Sequence, residues 1–258
     1  MRFIIAILSL LLLAKPVLAD NFSDTQKQEI GDVVKAYMLD HPELLQAMIE
    51  KLKAKEDAEA TAAQNDAIAT SAKNIFHDDL DGVVGNPKGD VTVVEFLDYN
   101  CAWCKRNISS VQELVKKDKN LRVVIKEWPI FGYTSEYAAR AATASVKQNK
   151  YWEFHQALFA ATLPHGQDDS AEAHAAGEAA VDKIAKSVGI DVAILKVDMK
   201  DPAIEANLAN TLTLSTALKF TGTPGFLINK SVYPGYLELA AMEDAIAKER
   251  ANGVCKDC

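Results

Sequence analysis

VTVVEFLDYNCAWCKR, residues 91–106, is the stretch on which the fold turns. Val91–Leu97 is apolar except at Thr92 and Glu95, as expected of a strand covered on both faces. Cys101 and Cys104 follow, and the chain then reads as helix through Lys117. Leu121–Glu127 (LRVVIKE) is a second strand, which makes a β-α-β unit with a parallel pair. A cysteine just before a helix meets backbone N–H groups and the positive end of the helix dipole, and both favour its thiolate. Only the thiolate attacks a disulfide. Cys101 is therefore the expected nucleophile, and Cys104, one turn inside the helix, the resolving thiol. Lys105 and Arg106 add positive charge nearby.

Glu95 is an acid inside an apolar strand, where burial as an anion is costly. Two readings stand side by side. Its carboxyl reaches solvent or pairs with a lysine, or its raised pKa lets it relay the proton of Cys104.

The chain opens MRFIIAILSLLLLAKPVLAD. Arg2, the apolar run Phe3–Leu13 and the small-residue pattern ending at Ala19 read as a signal peptide over residues 1–19. The run is short for a membrane span, and Lys15 and Pro16 end it. An exported, soluble, periplasmic protein is expected, in a compartment where disulfides persist. The formal net charge of −8 argues against nucleic acid or an anionic membrane surface as partner.

Residues 20–75 read as a helical arm. Ser23–Gln26 fits a capping box, and Ile30, Val33, Val34, Tyr37 and Met38 fall at helical spacing. After a break at Asp40–Glu43, Leu44, Leu45, Met48, Ile49 and Leu52 form a second stripe. Residues 53–73 are rich in Ala, Lys, Glu and Asp, with Ile68 their only large aliphatic. A self-association surface is favoured over packing on the chain's own core. Gly82–Gly89 is turn-rich and marks entry to a main domain over residues 80–254. Residues 135–219 are helical in pattern, TGTPGFLIN follows, and a closing helix stops at Asn252-Gly253. The order predicts an α/β fold with a helical insertion.

The last residues, Cys255-Lys256-Asp257-Cys258, follow a helix where Cys101 precedes one. A local structural disulfide or a loose tail pair is preferred to a secondary exchange site. Two C-x-x-C pairs suit zinc by spacing, but their separation and the helix-opening place of the first argue against it. No metal or cofactor is expected.

VTVVEFLDYNCAWCKR together with TGTPGF (221–226) strongly resembles the DsbA-like branch of the thioredoxin superfamily. KEWPIFGYTSEYAA (126–139) and YWEFHQALF (151–159) extend the resemblance over about residues 80–251. It implies a thioredoxin fold with an inserted helical domain and a redox-active disulfide at Cys101 and Cys104. It also implies a cis Pro224 beside them, a buried acid at Glu95, and substrate contact through Thr223, Pro224 and Trp103, the loop pairing with an extended segment. Ala102-Trp103 is not the Pro-His of strongly oxidising members, and Thr223 resembles the isomerase-type members. The arm resembles that of the oligomeric ScsC group, so a homo-oligomer through residues 20–75 is implied. A thiol–disulfide oxidoreductase acting on unfolded or mis-disulfided exported proteins follows, served by an unidentified membrane redox partner. Isomerase or reductase action is favoured. The alternatives are a net dithiol oxidase of DsbA type, or a non-enzymatic protein that acts as a chaperone or binds copper(I) through Cys101 and Cys104. His155, amid the aromatics of YWEFHQALF, reads as a core histidine.

Overall fold

A computed structural model describes residues 22–165, 169–255 and 257–258, so the leader expected over residues 1–19 lies outside the described residues. The chain divides into two units, Met1–Ala58 and Glu59–Cys258.

Helix α1 (Asp24–Asp40) starts at a complete capping box. Gln26 N donates to Ser23 Oγ at 3.3 Å, and Ser23 N donates to Gln26 Oε1 at 2.8 Å, so two orphan N–H groups are satisfied reciprocally. Among the described residues of α1 none is buried. Val33 is 69% exposed, and Leu45 and Met48, early in α2 (Glu43–Thr70), are 57% and 62% exposed. Both apolar stripes face outward in the single chain.

The second unit begins inside α2. Ile68 is buried, and α3 (Ala72–Phe76) adds Ile75 and Phe76 to the same core cluster. The boundary therefore lies near Ala58, not at the 75–80 expected from composition. The C-terminal third of the expected arm is sparsely apolar, yet its few large side chains are core.

The elements then run β1 (Gly82–Gly85), β2 (Val91–Leu97), α4 (Ala102–Lys117), β3 (Leu121–Glu127) and α5 (Tyr133–Ser145). After a 3-10 turn at Val146–Gln148 come α6 (Tyr151–Ala160), α7 (Ala171–Ser187), α8 (Val192–Asp198) and α9 (Pro202–Ala217). Strands β4 (Gly225–Ile228) and β5 (Ser231–Pro234) and helix α10 (Leu239–Ala251) close the fold. The turn-rich Gly82–Gly85 is thus a short strand, antiparallel to β3.

The sheet order is β1-β3-β2-β4-β5. Strands β2 and β3 run parallel, from Val91↔Leu121 to Leu97↔Glu127, and β4 pairs antiparallel with β2. Every residue of β2 is buried, which explains its near-continuous apolar pattern. One face of the sheet, with Val93, Leu97, Val123 and Ile125, packs against residues of α4, α10 and the insertion helices. The other, with Val94, Phe96 and Val124, packs on Ile75, Phe76 and the α9 residue Leu214.

That second face also holds two buried cations of β3. Lys126 pairs with Asp81 and donates to the Asn74 carbonyl, Asn207 donates to Asp81 at 3.1 Å, and Arg122 donates to the Phe76 carbonyl at 2.5 Å. Each charge has partners, the condition for burying one at all. Cys255 and Cys258 form a disulfide. The Cys258 carbonyl accepts from Thr92 Oγ1 at 2.9 Å and from Arg122 Nη1 at 3.4 Å, which fastens the tail at the start of β2.

Ile75→Ala is expected to cost about 2–5 kcal/mol of unfolding free energy, as for a buried aliphatic that cannot be replaced by collapse. Urea titration of the full chain measures it. A loss within error would remove Ile75 from the core.

Candidate dithiol site

β2 delivers the chain into a turn whose geometry is set by Asp98. Its Oδ1 accepts from Asn100 N at 2.7 Å and Ser135 Oγ at 2.8 Å, and its Oδ2 from Ile130 N at 2.7 Å and Phe131 N at 3.0 Å. Cys101 N donates to the Asp98 carbonyl at 3.1 Å. One buried carboxylate thus ties the start of α4 to the loop after β3. Composition and spacing gave no hint of it; an Asp just past a buried strand was the only signal.

Cys101 is the N-cap of α4, with extended φ and ψ of −71° and 120°. Cys104 N donates to Cys101 Sγ at 3.4 Å, and the Cys101 thiol donates to the Thr223 carbonyl at 3.2 Å. The Thr223–Pro224 peptide is cis, and through the Thr223 carbonyl the 221–226 loop, far from the dithiol in sequence, meets it at the sulfur. Hydrogen bonding from Cys104 chiefly, with help from the backbone N–H groups of the first turn of α4, outweighs burial and brings the Cys101 thiol down to about 6. Burial first, then the bond to Cys101 and the charge of Glu95, push the Cys104 thiol well above its ordinary range. The two sulfurs are unlike: one is ready as a thiolate, the other is a buried thiol that needs a base. Lys105 does not face the thiolate as a free charge; its Nζ donates to the Ala161 carbonyl at 3.1 Å.

Glu95 is 1% exposed and its Oε2 has no hydrogen-bond partner. It is closed to solvent and pairs with no lysine among the described residues. Burial first, then Glu127 and Cys101, raise its carboxyl to about 8. Beside it on β3 is Glu127, a buried acid that accepts from the hydroxyls of Tyr99 and Tyr151, each at 2.7 Å. In sequence Glu127 is only the last residue of an apolar strand. Its polarity amid LRVVIKE was the available signal.

Trp103 is 50% exposed, its ring 5.5 Å from that of Tyr236 and 5.1 Å from the Arg106 guanidinium carbon. Ile130 and Phe131, held by Asp98, are exposed as well. Cys101, Cys104, Glu95 and Thr223-Pro224 therefore gather at one end of β2, with Trp103 on the adjoining surface. Cys255 and Cys258 do not join them. They sit by Thr92 at the other end of the strand, about 17 Å of chain away at a strand's rise per residue. Among the described residues no cluster of three or more metal-ligating side chains occurs.

A central mixed sheet, a C-x-x-C at a helix N-terminus and a cis-proline loop against the first sulfur define a thioredoxin-fold dithiol protein. The particular family follows from comparison with known proteins. Residues 92–247 match the DSBA-like thioredoxin domain, to whose family the chain belongs, and residues 26–59 match the copper resistance protein ScsC N-terminal domain. A thioredoxin-like oxidoreductase from Silicibacter pomeroyi is 41% identical, with a TM-score of 0.63 over 69% of this chain and 97% of that one. A linker-deletion mutant of Proteus mirabilis ScsC is 23% identical and shares the fold, with a TM-score of 0.64 over 90% of this chain and 98% of that one. A Na(+)/H(+) antiporter, NhaA 3 of Salinispora tropica, is 26% identical over 67% of this chain, which spans 25% of the antiporter's length.

In the reduced protein, iodoacetamide is expected to label Cys101 with a midpoint near pH 6 and to leave Cys104 unlabelled at neutral pH. Because the folded thiol lies below its ordinary 9.0, the reduced fold gains stability as pH rises from about 6 to 9 and loses it as pH falls through about 6. Mass mapping of the label across pH checks the first statement; a midpoint near the ordinary thiol value would refute it.

Proposed function

We propose that the protein is an exported thiol–disulfide oxidoreductase of periplasmic protein substrates, with isomerase or reductase action favoured over net oxidation. The observation that carries the reading is the contrast between Cys101, a hydrogen-bonded low-pKa sulfur at the α4 N-cap, and Cys104, buried one turn behind it.

The Cys101 thiolate attacks one sulfur of a substrate disulfide, forming a mixed disulfide and releasing the substrate's other thiolate. That thiolate can attack a second disulfide of the substrate, and the thiolate so released then attacks the substrate sulfur of the mixed disulfide and expels Cys101 as a thiolate, which is isomerisation. Alternatively Cys104, its proton taken by Glu95, attacks Cys101 and releases reduced substrate. An extended substrate segment would pair along Thr223 and Pro224, with Trp103, Tyr236 and Phe131 offering apolar contact. The lowered pKa keeps Cys101 a thiolate at neutral pH without making it a poor nucleophile.

Isomerisation is supported by Thr223, by Ala102-Trp103 and by the uncovered stripes of α1 and α2, which suit self-association. The match of residues 26–59 to the ScsC N-terminal domain supports the same use of the arm. In a homo-oligomer several dithiols would be offered to one substrate. An isomerase must be kept reduced, so a membrane-borne reductant is the partner required. The leader at residues 1–19 and unfolded or mis-disulfided exported substrates complete the reading.

The test is reactivation of a scrambled multi-disulfide protein in a glutathione buffer, using the mature chain and a chain beginning at Glu59, which keeps Ile68 and Ile75. Reactivation that falls several-fold without the arm and is abolished by Cys101→Ser is expected. Fast oxidation of a reduced substrate with no reactivation would make the protein a net oxidase. Inactivity both ways, with copper(I) held by the dithiol, would make it a binding protein.

A further inference from the structure

The exchange chemistry uses one buried acid, and a second lies beside it. On the paired strands Glu95 is opposite Ile125 and Glu127 is opposite Leu97, so both acids project from the same sheet face as diagonal neighbours. Each has an Oε2 with no hydrogen-bond partner. The other oxygen of Glu127 is firmly held, since the Tyr99 and Tyr151 hydroxyls both donate to its Oε1. Behind Tyr99 lies His155, buried, its Nδ1 3.0 Å from the tyrosine oxygen. Burial takes this imidazole down to about 3, so it is neutral. With the Tyr99 proton given to Glu127, Nδ1 must carry the hydrogen and donate to Tyr99. Donation runs His155 to Tyr99 to Glu127 and ends on a carboxylate oxygen.

Burial raises the Glu127 carboxyl to about 8, as it does that of Glu95, and the two hydroxyls on its Oε1 pull the other way, so Glu127 is the member of the pair that ionises first. Glu95 has no such donors on its free oxygen. The titratable groups around the pair are Tyr99 and Asp98 beyond β2, Cys101 and Cys104 of α4, Tyr151 and His155 of α6, and Asp81 ahead of β1. Lys126 and Arg122, the cations of β3, project from the opposite face and are engaged there. Gly82 keeps Tyr151 in place, because a Cβ there would lie 1.9 Å from the ring.

We propose that Glu127 is a positioning residue for disulfide exchange: an anchored carboxylate whose charge sets the proton affinity of Glu95 and thereby the pH at which Cys104 closes the ring. The inference rests on Glu95 being the base for Cys104. In the mixed disulfide, the Glu95 carboxylate takes the Cys104 proton and the Cys104 sulfur bonds to Cys101 Sγ. The bond from Cys101 to the substrate sulfur breaks, and the substrate leaves as a thiolate with that electron pair. Once Glu127 is ionised, its charge makes Glu95 harder to ionise and a stronger base when it does.

The experiment mixes the reduced full chain rapidly with excess Ellman's reagent between about pH 5 and pH 9, the range that spans both groups. The first release of nitrothiobenzoate reports attack by Cys101, and the second reports ring closure by Cys104. In the wild type the second phase speeds up as Glu95 ionises. Glu127→Gln is expected to move that rise to lower pH by about one unit or more, with the first phase nearly unchanged. Tyr151→Phe, which removes one donor and weakens the anchored charge, shifts it the same way by less. Glu95→Gln abolishes the rise. A second phase in Glu127→Gln that superimposes on the wild type, while Glu95→Gln flattens it, overturns the role of Glu127 alone. A wild-type rise in Glu95→Gln overturns the reading beneath it as well. If Glu127→Gln does not fold, the absence of any shift in Tyr151→Phe overturns the proposal.

Discussion

The hydrogen bonds at one sulfur, accepted from the first turn of α4 and donated to the cis-proline loop, are what the rest of the structure is arranged to supply. A thiol at the surface of an ordinary loop would remain protonated at neutral pH. Cys101 acquires its donors because β2, buried along its length, fixes where α4 begins, and Asp98 fixes how the chain turns into it. The same carboxylate reaches across to the loop after β3 and to Ser135, so the first turn of α4 is braced by the insertion as well as by the sheet. The C-x-x-C spacing then does two things at once. It aims the Cys104 N–H at the first sulfur, and it places the second sulfur a full turn deeper, where burial keeps it a thiol.

What the sequence made legible follows the range of the interactions. β2, α4 and β3 could be read because local pattern decides them: a continuous apolar run, a helix start, a second run. The place of Cys101 at a helix start could be read because an N-cap is a local feature. The lower edge of the main domain could not. Ile68, Ile75 and Phe76 are thinly spread through an Ala- and Lys-rich stretch, and only the sheet's second face shows what they cover. β1 was hidden for the opposite reason, since a short strand flanked by glycines reads as a turn until β3 is there to pair with it. Glu127 belongs to a third kind. The tyrosines that hold it lie on the β2–α4 turn and on α6, 28 and 24 residues away, and no periodicity connects them.

The two faces of the sheet handle buried charge differently, and the difference bears on function. On one face Lys126 meets Asp81, and Asn207 and the Asn74 carbonyl complete the set, so the charges are compensated and the cluster serves the fold. On the other, Glu95 and Glu127 face each other with no cation of their own strands between them. Burial and mutual repulsion hold Glu95 near 8 against an ordinary 4.5. A carboxyl so shifted binds its proton more tightly in the folded chain than in the unfolded one. Its contribution to stability is therefore complete below about 4.5 and is lost as pH rises through about 8. At neutral pH the fold already gives up part of that stability. A hydrophobic residue at position 95 would avoid the loss and still fit a strand buried on both faces. An acid there is hard to justify by packing, but it is what the buried Cys104 thiol needs, because a base must release its proton again near neutrality to be used a second time. Desolvation, a liability to the strand, brings Glu95 into the range where it can serve the sulfur above it.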